Sequence, residues 1–102
     1  MRFRHANKTL RLIDENPDFT GGFSASLVQA YRELMHVIRE APNENALRAL
    51  KSYHFEKLGG KRGTQLQYSM RLYKGFRLIF QIAKEDGANR LVILAIENYH
   101  KG

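Results

Sequence analysis

Residues 65 to 82 alternate between apolar and polar side chains with a period of two, and the rest of the chain is read around them. Leu66, Tyr68, Met70 and Leu72 fall on one face of an expected strand, with Gln65, Gln67, Ser69 and Arg71 on the other. After Tyr73, Lys74 and Gly75 the period resumes with Phe76, Leu78, Phe80 and Ile82. A two-residue loop at Lys74 and Gly75 would set the two apolar faces on opposite sides of the sheet and bury charge. A three-residue loop with Gly75 in the left-handed conformation instead pairs Leu72 with Phe76, Met70 with Leu78 and Tyr68 with Phe80. The same register sets Arg71 opposite Arg77 on the polar face, unfavourable by roughly a few tenths of a kcal/mol. Either the two guanidinium groups diverge into water or they serve an anion, and two planar forks on a rigid sheet suit a phosphate.

Upstream the period changes to that of helices. Residues 1 to 4 read as a short strand leading into a helix that ends near Glu15, with Leu10 and Ile13 inward. Asn16, Pro17, Asp18, Gly21 and Gly22 mark a loop. Ser24 or Ser26 then caps a helix through Ala41, in which Leu27, Tyr31, Leu34, Ile38 and Ala41 keep the 3.6-residue period. Pro42 stops it, and a short helix from residues 43–45 to about Lys51 can pack Leu47 and Leu50. A strand over residues 54–58 and a basic glycine loop over residues 59–63 complete the approach to the hairpin. Beyond it, residues 84–89 form a turn, and residues 91–96 are apolar at every position, as in a strand covered on both sides. The order predicts a single α+β domain over residues 1–102, with N-terminal helices on one face of a mostly antiparallel twisted sheet and the other face free for function.

Composition narrows the classes. The chain has no cysteine, which removes disulfides and thiolate metal sites, and it lacks both a membrane span and the apolar stretch of a signal peptide, so a soluble cytoplasmic protein is expected. Its formal charge of +7 is concentrated: residues 51–77 hold seven basic residues against Glu56 alone, a local balance of +6. A polyanion is the expected partner, nucleic acid rather than membrane, because no basic amphipathic helix accompanies the cluster. Gly59, Gly60, Lys61, Arg62 and Gly63 lack the spacing and the following serine or threonine of a nucleotide-binding P-loop. His5 and His36 read as surface or helix-packing residues, whereas His54 opens a strand beside the basic loop and His100 follows the last strand. No histidine pair has the short helical spacing of zinc ligands, and no metal or other cofactor is expected. Imidazoles beside arginines and lysines do suit acid-base chemistry on a phosphodiester, since the cations can hold the developing charge.

The run Phe55 to Arg62, followed by Tyr68-Ser69-Met70-Arg71-Leu72, by Phe76-Arg77-Leu78-Ile79-Phe80 and by the closing Ile96-Glu97-Asn98-Tyr99-His100, resembles the HigB-type branch of the RelE/ParE toxin superfamily. The resemblance covers the last half of the chain, and the preceding helices agree in order and length. It implies a RelE-like fold, a toxin of a type II toxin-antitoxin system, and ribosome-dependent endoribonuclease action on messenger RNA. It also implies neutralisation by a cognate helix-turn-helix antitoxin, through which alone operator DNA would be contacted. By position it implies catalytic roles for His54, Arg71, Arg77, Tyr99 and His100, and RNA binding by Lys57; the charge pattern adds Lys61, Arg62 and Lys74 to the RNA-binding set. Asn98 stands where the family often has an aspartate, so any acid-base duty there is absent or has moved to Glu97 or His100. Two other classes stay open: a ParE-like DNA gyrase inhibitor acting by protein contact, and an RNA-binding module without catalysis.

Overall fold

The computed structural model describes residues 1–99. Its elements run β1 (Phe3–His5), α1 (Lys8–Glu15), α2 (Ala25–Glu40), α3 (Glu44–Arg48), a 3-10 turn (Lys51–Tyr53), β2 (Glu56–Lys57), α4 (Gly60–Thr64), β3 (Gln67–Tyr73), β4 (Phe76–Glu85) and β5 (Ala88–Asn98). The helix starts follow from side chains that satisfy orphan amides. Asn7 accepts from the Leu10 amide, Ser24 from Leu27 and Asn43 from Ala46. The strands form one five-stranded sheet in the order β1-β5-β4-β3-β2, antiparallel except for β1 alongside β5.

One face of that sheet meets the helices. Leu10 and Ile13 of α1, Tyr31, Leu34, Met35 and Ile38 of α2, and Leu47 of α3 close over Met70, Leu78, Phe80, Leu91 and Ile93. Each such buried side chain contributes roughly 1.5 to 3 kcal/mol of transfer free energy, so this layer fixes where everything else stands. Buried Tyr31 donates its hydroxyl to the Leu10 carbonyl at 3.0 Å, which ties α2 to α1. Burial also holds that phenol well above its usual pKa. The α1–α2 loop is closed by Arg32, whose Nε donates to the Ile13 carbonyl at 3.0 Å and whose Nη2 reaches the carbonyls of Asn16, Pro17 and Phe19 at 3.1 to 3.2 Å.

The expected register holds through most of the hairpin: Tyr68 faces Phe80, Met70 faces Leu78 and Arg71 faces Arg77. The turn differs. Tyr73 pairs with Phe76, so the loop has only two residues, and the left-handed one is Lys74 at φ +51°, not Gly75. An irregularity between Arg71 and Tyr73 inserts the extra residue that a two-residue turn needs to keep both apolar faces aligned. The second hairpin turns more tightly than the 84–89 pattern implies: β4 runs to Glu85 and β5 starts at Ala88, leaving Asp86 and Gly87, at φ +52° and +77°, as a two-residue turn of the primed kind.

Other expectations are corrected by packing. Leu66, read as the first inward residue of β3, lies outside the strand at φ +58° and is 47 % exposed. Leu50 falls after α3, which ends at Arg48, and is 41 % exposed. His54 does not open a strand; it ends the 3-10 turn in the left-handed conformation, and β2 is reduced to Glu56 and Lys57. Residues 60–64 are not a loop but the single-turn helix α4. No helix among the described residues is long and apolar enough to cross a membrane.

Candidate functional site

The face of the sheet away from the helical layer carries the candidate site, and strand pairing builds it. Arg71 on β3, Arg77 on β4 and Glu97 on β5 stand in one row across three strands. The next row holds Ser69, Ile79 and Ala95. Because side chains alternate along each strand, this row is fixed by the same register that buries Met70 and Leu78 on the opposite face. The row lies near the hairpin turn, where the Tyr99 amide donates to the Gly75 carbonyl at 2.8 Å.

α4 covers part of this face, which was expected to be open. Its seat depends on Gly63, which is buried; a Cβ there would stand 2.2 Å from the Leu58 carbonyl oxygen, far inside contact distance. The Gln81 amide group donates to the Gln65 carbonyl at 2.9 Å and the Ile82 amide to the Leu66 carbonyl at 3.1 Å, pinning the exit of the helix to β4. From this seat Arg62 reaches across the face. Its Nη1 and Nη2 donate to the two Glu97 oxygens at 3.2 and 2.7 Å, and its Nε donates to Gln67 Oε1 at 3.3 Å. Hydrogen bonding to Glu97, with Tyr99 also beside it, raises the Arg62 pKa further above its already high value.

The two strand arginines are unlike each other. Arg77 turns away from Arg71: its Nε donates to the hydroxyl of fully buried Ser69 at 2.8 Å, and its Nη2 donates to the His54 carbonyl and lies 3.8 Å from Glu56. Only 12 % of its side chain is exposed. The like-charge pair is therefore relieved within the protein by Ser69, a carbonyl and Glu56, and needs no ligand for that. Arg71 is exposed and forms no ion pair with a described residue.

The remaining candidates take these places. His54 is brought beside the row through its backbone, which Arg77 binds, and the residue is exposed. Lys57 is exposed on edge strand β2 beside α4, its Cε 3.8 Å from where a Gly63 Cβ would stand. Lys61 is exposed on α4, and Lys74 sits in the turn with its ammonium 5.4 Å from the Tyr73 ring centre. Tyr99 is 42 % exposed and follows directly on β5. His100 lies outside the described residues. Arg62, Arg71, Arg77, Tyr99 and the His54 backbone are thus gathered on one face, with Lys57, Lys61 and Lys74 around its edges.

Ser69 and Glu56 were missed by sequence reasoning. In the expected register Ser69 is diagonal to Arg77, within reach of a long side chain, and this was the available signal for it. A concavity of about 680 Å³ lies elsewhere, lined by Thr20 of the α1–α2 loop and by α2 residues from Ala25 to Val37. It is lined mostly by apolar surface and holds none of the strand cations. Compared with known families and with curated proteins, the chain matches no family model and no curated protein.

Proposed function

We propose that the chain is the toxin of a type II toxin-antitoxin system and acts in the cytoplasm as a ribosome-dependent endoribonuclease on messenger RNA. The observation that carries this reading is the cation row. Exposed Arg71 beside a rigidly held Arg77, with Arg62, Tyr99 and His54 around them, is a surface suited to a phosphodiester. The motif resemblance to the HigB-type branch of the RelE/ParE superfamily and the +6 balance over residues 51–77 support it independently. A cognate helix-turn-helix antitoxin is the corresponding partner.

In this reading the 2′-hydroxyl next to the scissile phosphate attacks it. A histidine or Glu97 takes the proton, and Arg71 stabilises the negative charge that develops on the phosphate oxygens. Arg77 serves as the fixed wall of the site, since its hydrogen bonds to Ser69 and the His54 carbonyl set its own position and that of the 54–56 segment. The nucleophile is part of the substrate, so the reaction leaves a 2′,3′-cyclic phosphate and a 5′-hydroxyl. Mapping the ends of messenger RNA cut on ribosomes tests this, with 3′-hydroxyl ends as the refuting result. The reading as an RNA-binding module without catalysis has one observation in its favour: both Arg77 and Arg62 are already engaged by protein groups. Binding to ribosomes or RNA without any new ends would decide for it.

A further inference from the structure

Glu97 is a carboxylate in the middle of a face that mostly gathers cations, whereas Glu56 stands at its edge on β2. Glu97 lies opposite Arg77 in the β4–β5 pairing, where a carboxylate repels any phosphate that approaches Arg71 or Arg77. Among the described residues its close partner is the Arg62 fork, through two parallel hydrogen bonds of 3.2 and 2.7 Å. That is the geometry in which a guanidinium group binds either a carboxylate or one edge of a phosphate. The pair is reachable from solvent, its side chains being 40 % and 37 % exposed, and exposed ion pairs are weakly held.

The surroundings fix the fork without needing Glu97. Arg62 Nε is held by Gln67, Tyr99 lies beside the guanidinium group, and α4 is seated by Gly63 against Leu58 and by Gln81 at its exit. An incoming anion can therefore replace the carboxylate by side-chain movement alone.

We propose that Arg62, with Tyr99 beside it, forms a subsite for a backbone phosphate of single-stranded RNA, and that Glu97 fills this subsite until the phosphate displaces it. The proposal rests on the RNA reading given above and deepens it. Arg62 exchanges one pair of oxygens for another, and the freed carboxylate is left next to Arg77 on the neighbouring strand. Displacing Glu97 opposes binding, so a lone phosphate ion gains little. A strand also held by Arg71, Lys57, Lys61 and Lys74 gains enough from those contacts to drive the exchange. Glu97 thereby makes the face selective for a polyanion.

The test measures binding of a short fluorescein-labelled 2′-O-methyl RNA, which cannot be cleaved by 2′-hydroxyl attack, as a function of salt. Glu97→Gln should bind roughly five- to tenfold more tightly than the parent at low salt, because the probe no longer has to displace a carboxylate from Arg62. Asp18→Asn, in the exposed α1–α2 loop, removes the same charge and should change binding far less. In the double variant Arg62→Ala, Glu97→Gln the gain should vanish. A Glu97→Gln affinity no higher than that of Asp18→Asn overturns the proposal, as does a gain that survives loss of Arg62. Should neither the parent nor Glu97→Gln bind the probe, the RNA reading itself falls and this subsite with it. A poorly folded Glu97→Gln leaves a second measurement, nitrogen-detected NMR of the Arg62 side chain in the parent. Those resonances should shift as the probe is added, and unchanged Arg62 signals from a chain that binds the probe refute the exchange.

Discussion

Arg32 on α2 and Arg71 on β3 read alike in the sequence, each a cation on the polar side of an amphipathic element, yet the fold uses them in opposite ways. Arg32 donates to four backbone carbonyls and closes the α1–α2 loop, whereas Arg71 stands exposed with no ion pair to a described residue. Between them lies Arg77, with its Nε on a buried serine and its Nη2 on a carbonyl. An arginine that completes loop carbonyls is part of the scaffold; one left pointing at water from a rigid strand is available to a ligand. The helical side and the strand side of this domain divide along that line, and loss of stability should separate them.

Arg32→Ala should give the largest effect. Removing a charged donor from four carbonyls, of which that of Asn16 also accepts from the Phe19 amide, costs about 2 to 3 kcal/mol, or roughly 10 °C in melting temperature for a domain of this size. Binding to RNA, measured well below that melting point, should be unchanged. A melting temperature near the parent's would show that the loop is held by other contacts.

Gly63→Ala should come next. The added methyl group collides with the Leu58 carbonyl, so α4 must lift, at about 1 to 3 kcal/mol. Arg62 moves with it. Here stability and RNA affinity should change together, and a crystal structure of the variant with the Arg62–Glu97 pair intact would contradict the role given to this glycine.

Arg77→Ala should cost about 1 to 2 kcal/mol, since it leaves the buried Ser69 hydroxyl without its partner and releases the His54 carbonyl. Activity should fall as well, but because the wall of the site has moved. Arg77→Lys separates the two contributions: a single ammonium cannot reach Ser69 and the His54 carbonyl in the fork's geometry, so most of the stability loss should remain.

A smaller effect belongs to pH. His5 on β1 is buried against Asp14 of α1, its Nε2 3.3 Å from the carboxylate that also receives Arg39 of α2. Burial pushes the His5 pKa below its ordinary value near 6.5, the Asp14 charge only partly opposing it. With the folded pKa depressed, the unfolded chain binds the proton more readily. The contribution to stability is therefore complete above about pH 6.5 and is lost as the pH falls below it. His5→Gln should flatten the pH dependence of the melting temperature in that window; an unaltered pH profile would place the titrating group elsewhere.

Much of the fold was legible because one period decided each long element. Leu10 and Ile13, the α2 stripe and the Met70 to Leu78 pairing are all buried as their spacing implies. What escaped was short or set from outside. Three glycines in five residues read as a loop at 59–63, but Gly63 is there because a helical turn packs against the Leu58 carbonyl, a contact no local pattern encodes. The hairpin register was legible from its faces, while the turn was not, because an irregularity between Arg71 and Tyr73 lets Lys74 and Gly75 turn without flipping a face. At the site, the alignment of Arg71 with Arg77 was legible and its consequence was not. Whether two facing arginines meet a ligand or a serine and a carbonyl depends on where residues 54–56 run, and those residues hold almost no regular structure.

On the proposed reading the strand face serves an anion, and Arg71 stands exposed on it with no ion pair to a described residue. Arg71→Ala tests that reading most directly, read by melting temperature and by cleavage of ribosome-bound messenger RNA on the same preparation. Stability should change by no more than about 0.5 kcal/mol, or rise slightly as the like charge opposite Arg77 is removed, while cleavage falls at least about a hundredfold. A stable Arg71→Ala chain that still cuts RNA at the parental rate would show that Arg71 takes no part in the reaction.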